Sequence, residues 1–370
     1  MSDTPQHILV IHVAGLAQTT LALPALRSLR AHLPNSRITV ATSSAAADLI
    51  RLSGCADEVL TIGRLHHAEL FKPTVFYRST KAVNELRHAN YDLAIEFKTG
   101  TEAGIVLNLA NPRERLKPLR DSNKSLSNVI ERVTQAISRQ SPLAALSAAP
   151  IHLAHQYLKK LEPLGVRPIE AEPRITTDRQ ADEQIEKLLK KHGAGFGELL
   201  VGIHPGAGQI RHRWPVERFV SVGARMINNF NARVLVFAGP QERGLAKQIV
   251  KQLSGKGTGK GVEKGSVKRA IAIESPKLPE LVSAFARLSL LIANHSGPAH
   301  LAAAVGAPVV VISTLGSTFG KDSTPSPTDV LGSRREMLRA SHVELISEEA
   351  VYEAACRLLK MNRAEYLRSR

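Results

Sequence analysis

The stretch around which this chain is organised, and whose residue types could do chemistry, is Asn294-His295-Ser296-Gly297-Pro298-Ala299-His300. Residue types in this order suit a strand that breaks into a helix start. Ser296 can cap the helix, and Pro298 fits its first turn, where a missing N–H costs nothing. Gly297 lets a ligand come close to the backbone, and the open N–H groups of a helix start attract phosphate. A strand–turn–helix with no ligand has the same composition, so the run by itself leaves both readings open. Other chemistries lack their signatures. No Gly-x-Ser-x-Gly elbow supports a serine hydrolase. Val13-Ala14-Gly15-Leu16-Ala17-Gln18 lacks the Gly-x-Gly-x-x-Gly fingerprint of a dinucleotide-binding dehydrogenase. Cys55 and Cys356 are far apart in sequence and form no metal or redox motif, which points to a reducing cytoplasm.

The elements around that run read as a buried strand ending at Asn294, a small-residue helix over 298–305, and a second apolar strand over 308–312 after Gly306. This is how parallel strands joined by a crossover helix look in sequence. The same alternation opens the chain. Strands are expected over 7–13, 37–42, 58–62 and 91–97, and a first helix carries Leu26, Leu29 and Leu33, with Ser43-Ser44 capping a second through Ile50. Helices are expected over 124–138 and 152–161, and a proline-marked approach over 165–177 leads to a boundary near Asp178. Beyond it lie a helix over 179–192, a glycine-rich loop to Gly197, a strand over 199–204, a helix over 215–230 and a strand over 232–238. Residues 251–269, rich in Lys and Gly, read as a surface insertion, and helices follow over 278–286 and 348–359. The expectation is an α/β protein of two doubly wound parallel-sheet domains, 1–177 and 178–345. A terminal helical segment, 346–370, returns to the first domain.

Length permits this: 370 residues can bury two cores, and 43% hydrophobic with 22% charged residues describes an ordinary globular chain. No apolar run approaches the roughly 20 residues that cross a bilayer, and the start at Met1-Ser2-Asp3 lacks a basic or apolar leader. The expected location is cytoplasmic. The net charge of +16 draws the chain to polyanions. Nucleic acid is the weakest candidate, because aromatics are only 4% and no recognition motif is present. A peripheral contact with an anionic inner membrane carrying a phosphorylated glycolipid fits the charge.

Three segments carry a family resemblance. Residues 294–304 resemble Asn-Asp-Ser-Gly-Pro-x-His-Leu-Ala-Ala-Ala of the heptosyltransferases, glycosyltransferase family 9, with His295 at the Asp position. Leu23-Pro24-Ala25-Leu26-Arg27-Ser28-Leu29 resembles the family's Pro-Ala-Leu-Arg-x-Leu helix. His204-Pro205-Gly206-Ala207, then Arg213-Trp214-Pro215-Val216-Glu217-Arg218-Phe219, resembles Pro-Gly-small followed by Lys-Arg-Trp-Pro-x-Glu-x-Phe. The match runs from Ile8 to about Leu359. It implies a GT-B architecture, two Rossmann-like domains facing across a cleft, and an inverting transferase that needs no cofactor. The donor, an ADP-sugar (ADP-heptose), binds the C-terminal domain. The phosphorylated glycolipid acceptor, of the lipopolysaccharide-core type, approaches the N-terminal one.

By the same resemblance, Gly206, Glu242, His295, Ser296, Gly297 and His300 belong to the donor site, with Glu242 holding the ribose hydroxyls. His212 occupies the place of a phosphate-binding Lys. Its imidazole would be charged only part of the time at neutral pH, so the flanking Arg211 and Arg213 are expected to carry the phosphate. Trp214 packs at the base of the next helix. Gln18 stands where the family has the Asp that acts as general base, and an amide cannot accept that proton. Glu96 is the nearest substitute base, with a solvated strand-end carboxylate as the plain alternative. Arg113, Arg115, Lys117 and Arg120 read as solvated surface or as an acceptor-phosphate site. The changes at Gln18, His212 and His295 leave two outcomes open: a divergent transferase, or a catalytically silent relative that binds nucleotide or glycan.

Overall fold

The computed structural model describes residues 4–62, 83–116, 151–195, 197–256, 269–315, 326 and 328–368. They fall into two compact units. One holds the chain up to Ala14 and from Ala25 to Ile169, the other Gly15–Pro24 and most of the chain from Glu170 onward.

The first unit is built on β1 (His7–His12), β2 (Arg37–Ser43), β3 (Glu58–Ile62), β4 (Leu93–Glu96) and β5 (Glu114–Leu116). The sheet order is β3-β2-β1-β4-β5, and every pairing is parallel. Ile8, Leu9, Val10 and Ile11 are all fully buried, which explains why this strand reads as an unbroken apolar run. The ladder is anchored at its start by Asp92, whose carboxylate accepts the N–H groups of Gln6 and His7 (both 2.9 Å). These bonds hold the Asp92 carboxyl below its ordinary range. The helices are α1 (Leu16–His32), whose stretch up to Pro24 belongs to the second unit, α2 (Ser44–Ser53), α3 (Thr101–Ala110) and α4 (Leu153–Lys159). Ser43 precedes α2 but does not cap it; its hydroxyl donates instead to the Ala14 carbonyl (2.6 Å), tying the end of β2 to the loop after β1.

The second unit contains α5 (Arg179–Lys191), β6 (Leu200–His204), α6 (Val216–Phe230), β7 (Arg233–Ala238), α7 (Leu245–Lys256) and β8 (Ala270–Glu274). It continues through α8 (Leu278–Ala286), β9 (Leu290–Asn294), α9 (Gly297–Ala304), β10 (Val309–Thr314), β11 (Arg335–Ala340) and α10 (Glu348–Arg368). Its sheet, again all parallel, runs β11-β10-β9-β6-β7-β8. Trp214 is 1% exposed and packs edge-on against Phe219 at 4.9 Å. Its indole N–H donates to the Ile346 carbonyl (2.9 Å), the role of a packing residue at the foot of α6.

Several boundaries differ from the sequence reading. The second unit takes in residues from Glu170, because Ile175 N–H bonds to the Ala304 carbonyl (3.0 Å) and draws the approach segment onto α9. The terminal helix α10, expected to return to the first domain, places Val351, Ala354, Ala355 and Leu358 in the core of the second unit. Residues 251–256 belong to α7 and not to a surface insertion. The helix expected over 124–138, residues 257–268, Phe196 of the glycine-rich loop, Lys117 and Arg120 lie outside the described residues.

Candidate functional site

In the second sheet β6 and β9 are neighbours, yet the strand order grows away from them in opposite directions, towards β7 and towards β10. The carboxyl ends of strands at such a switch point open a crevice where ligands bind in open α/β sheets. The motif segments leave the sheet at this place: His204 ends β6 and leads into Pro205-Gly206, and Asn294 ends β9 and leads into His295-Ser296-Gly297.

Asn294, fully buried, joins them. Its side-chain carbonyl accepts the Trp214 N–H (3.0 Å), and its amide donates to the Pro205 carbonyl (2.7 Å). Ser296 takes the N-cap position of α9 without capping it. Its hydroxyl turns back to the Asn294 carbonyl (3.0 Å) and lies 3.4 Å from Nδ1 of His204. Pro298 has no N–H, and those of Ala299 and His300 close on the Ser296 carbonyl (3.1 and 3.4 Å). An anion at this helix start would therefore be met by the N–H groups of Ser296 and Gly297. Space above Gly297 is narrower than the sequence suggested: a Cβ there would stand 2.9 Å from Cβ of Leu16, which belongs to the same compact unit.

Glu242 ends a short 3-10 turn after β7, and its side chain is 10% exposed. Oε2 accepts the Gly239 N–H (3.2 Å) and lies 3.9 Å from Nε2 of His204, while Oε1 is 3.4 Å from Nη2 of Arg213. Gly206 makes this placement possible, because a Cβ at that position would stand 2.1 Å from the Glu242 carboxylate. Burial pushes the His204 imidazole down to about 4, with Arg213 adding to the effect and Glu242 opposing it, so His204 is neutral at physiological pH.

The three residues of the basic segment separate. Arg213 is engaged: Nε and Nη2 both donate to the Ala207 carbonyl (3.2 and 3.1 Å), so its guanidinium clamps the loop after β6 as well as facing Glu242. Arg211 is exposed, with no hydrogen-bond or ion-pair partner among the described residues. His212 is held below its ordinary value by burial and by Arg211, so it supplies less charge than a free imidazole. His295 is engaged within the protein. Its Nε2 meets the Thr328 carbonyl (2.9 Å) and stands 3.3 Å from Nε2 of His300, which is buried. Burial lowers its pKa. A neutral ring that donates Nε2–H to a carbonyl keeps only an acceptor at Nδ1, which cannot donate to phosphate.

In the first unit the switch point lies between β1 and β4. Glu96 is the last residue of β4 and pairs with Ile11. Burial raises its carboxyl above the ordinary value against the pull of Lys160, whose ammonium donates to the carbonyls of Phe97 (2.7 Å) and Glu96 (3.4 Å). Gln18 is half-buried in the first turn of α1, within the Gly15–Pro24 stretch that belongs to the second unit. Arg113 precedes the edge strand β5 and Arg115 lies within it, both exposed. Arg113 pairs with Asp92 (3.2 Å) and Arg115 reaches the Leu107 carbonyl (3.4 Å), the behaviour of solvated surface. His204, Asn294 and Lys160 were not singled out as site residues from sequence; for the first two, a polar residue ending an apolar strand was the available signal.

Comparison with known proteins bears on the family and the fold. Residues 79–325 match the family model for glycosyltransferase family 9 (heptosyltransferase). A search of curated protein sequences found no significant match. Among solved structures, the glycosyl transferase family 9 protein from Veillonella parvula superposes with a TM-score of 0.72 at 19% identity, covering 96% of this chain and 97% of that one. ADP-heptose lps heptosyltransferase II from E. coli gives 0.69 at 15% identity, with 96% and 99% covered. E. coli heptosyltransferase WaaC, solved with ADP-2-deoxy-2-fluoro heptose, gives 0.67 at 15% identity, with 95% and 99% covered. The two parallel-sheet α/β units thus form a GT-B fold. With a family model matching two thirds of its length and that fold throughout, the chain belongs to glycosyltransferase family 9, the heptosyltransferase family, and is a glycosyltransferase.

Proposed function

We propose that this glycosyltransferase moves a heptose-type sugar from an ADP-sugar to a hydroxyl of a lipopolysaccharide-core-type acceptor, with inversion at the anomeric carbon. The observation that carries the reading is the convergence of Gly206, Glu242, Ser296 and Gly297 on adjacent carboxyl ends of β6, β7 and β9. In this reading Glu242 receives the ribose hydroxyls, exchanging its contact with Arg213 for the diol. The N–H groups of Ser296 and Gly297 receive the pyrophosphate, and the exposed Arg211 supplies its counter-charge. His300, buried and 3.3 Å from His295, positions that ring. Of the two E. coli neighbours, one is an ADP-heptose lps heptosyltransferase and the other was solved with ADP-2-deoxy-2-fluoro heptose, which supports the choice of donor.

The reaction requires a base to take the acceptor's hydroxyl proton as its oxygen bonds to the anomeric carbon. The bond from that carbon to the β-phosphate oxygen breaks, and ADP leaves with the electron pair. Attack from the face opposite the leaving group inverts the centre. Gln18 cannot act as the base. Glu96 can, and its burial-raised pKa makes it a better proton acceptor once ionised. The second unit binds donor and the first unit acceptor in this scheme. The +16 charge supports a peripheral contact with an anionic membrane on the cytoplasmic side. A second reading, a silent member that binds nucleotide without transfer, is favoured by Gln18 alone. Calorimetric titration with ADP, UDP and GDP, followed by a transfer assay with ADP-heptose and a deacylated core acceptor, separates the two. ADP binding with transfer supports the enzyme, and ADP binding without transfer supports the silent binder. No preference for ADP removes the donor assignment.

A further inference from the structure

We infer that Asn294 is the positioning residue of the donor site, and that it sets the diphosphate end relative to the ribose carboxylate without touching the ligand. This rests on the donor site proposed above. Three segments must keep fixed spacing for a nucleoside diphosphate to span them: the turn after β6, the loop carrying Arg211 and Arg213, and the start of α9. One buried side chain bonds to the first two, and its own backbone bonds to the third. Asn294 Nδ2 donates to the Pro205 carbonyl (2.7 Å), next to the Gly206 that admits Glu242. Its Oδ1 accepts the Trp214 N–H (3.0 Å), next to Arg213. Its backbone carbonyl accepts the Ser296 hydroxyl (3.0 Å) at the helix start.

The chemistry at this position admits few residues. It needs one donor and one acceptor on a short planar group, with no solvent to substitute for either, and among the short planar side chains only asparagine offers both ends without first taking up a proton. Aspartate would set a carboxylate oxygen against the Pro205 carbonyl at hydrogen-bond distance, a buried clash of two acceptors. Protonating that carboxyl restores a donor. The position therefore reports on itself: Asn294→Asp should be defective at neutral pH and recover in acid.

The test measures ADP and adenosine binding by calorimetry for wild type, Asn294→Asp and Asn294→Ala at pH 7.5 and pH 5, each variant compared with wild type at the same pH. Trp214 is the sole tryptophan of the chain and bonds directly to Asn294, so its fluorescence reads the loop. The expected result for Asn294→Asp at pH 7.5 is a loss of ADP affinity of about ten-fold or more, with adenosine affinity much less affected and Trp214 emission shifted. At pH 5 the ADP affinity should return towards wild type. Asn294→Ala should show the same selective loss with no pH recovery, and it carries the test if the aspartate variant does not fold. Equal losses for ADP and adenosine, or wild-type affinities for both variants, overturn the role of Asn294 while leaving the donor site standing. A wild type that binds no nucleoside diphosphate overturns the donor reading, and this inference with it.

Discussion

The carboxylate of Glu242 occupies the space that a side chain at residue 206 would need: a Cβ built on Gly206 falls 2.1 Å from Oε1 and 2.3 Å from Oε2. The two residues lie on different strand ends, after β6 and after β7, and the glycine at one is the condition for the carboxylate at the other. Glu242 is further held by the Gly239 N–H and faced by Arg213, so its position is fixed before any ligand arrives. Such preorganisation is what a ribose-binding carboxylate requires.

Gly206→Ala should displace Glu242 and leave the fold intact, since the group in the way is the end of a side chain and not backbone. ADP affinity should fall about as far as in Glu242→Gln, on the order of 1.5–3 kcal/mol for loss of a charge-assisted hydrogen bond. The two changes should not add, because both act on one carboxylate. Calorimetry on the singles and the double, with thermal midpoints as a control, checks this. Fully additive losses would show that Gly206 acts on the ligand by another route.

The basic segment allows a sharper test than its sequence did. Arg211 is exposed and unengaged among the described residues, whereas Arg213 clamps the Ala207 carbonyl and faces Glu242. Arg211→Ala should weaken ADP several-fold and leave adenosine binding and thermal stability unchanged. Arg213→Ala should weaken both ligands and lower the thermal midpoint, because the loop after β6 loses its clamp. Identical profiles for the two variants would contradict this division.

Why some of this was legible in sequence, and some not, follows from burial. β1, β6, β9 and β10 are covered on both faces, so they read as continuous apolar runs with clear ends. The turns after β6 and β9 carry residue types that mark themselves. β11, Arg-Glu-Met-Leu-Arg-Ala, is a charged edge strand with no fully buried residue, and β5 is only three residues long; neither has an apolar pattern to detect. The side-chain network was hidden for a different reason. That Ser296 would turn towards His204 instead of capping α9, or that His295 would turn to Thr328, depends on residues 92 and 33 positions away in sequence. Local pattern holds no record of such pairings.

Stability should fall on mild acidification because of His204. Its pKa drops from 6.5 unfolded to about 4 folded, so the unfolded chain takes up a proton that the folded chain refuses. The associated stability is complete above about pH 6.5 and is lost as pH falls towards 4, on the order of 3 kcal/mol in total. His212 and His295 are shifted the same way and reinforce the trend. Thermal midpoints measured from pH 7.5 to pH 4 should decline through this window, and less steeply in His204→Gln. An equal slope in that variant would assign the effect to other groups.

The identity of the base is decided by comparing Gln18 and Glu96. An amide in the first turn of α1 cannot take the acceptor proton, whereas Glu96 ends β4 with a carboxyl that burial raises above its usual value. If Glu96 serves, Glu96→Gln should reduce transfer by roughly 10²–10⁴-fold, the usual contribution of a general base, with ADP affinity unchanged. The acid limb of kcat/KM in the wild type should then lie above the ordinary carboxylate value and vanish in the variant. Gln18→Asp should add little, because a second base is redundant where one already works. The opposite pattern, with Glu96→Gln harmless and Gln18→Asp raising a slow wild type by a large part of that factor, would show that the base position was lost and not replaced. Lys160→Met offers an independent check. Its ammonium opposes the burial effect on Glu96, so its removal should move the acid limb further up, and a fixed limb would mean that Glu96 is not the titrating group.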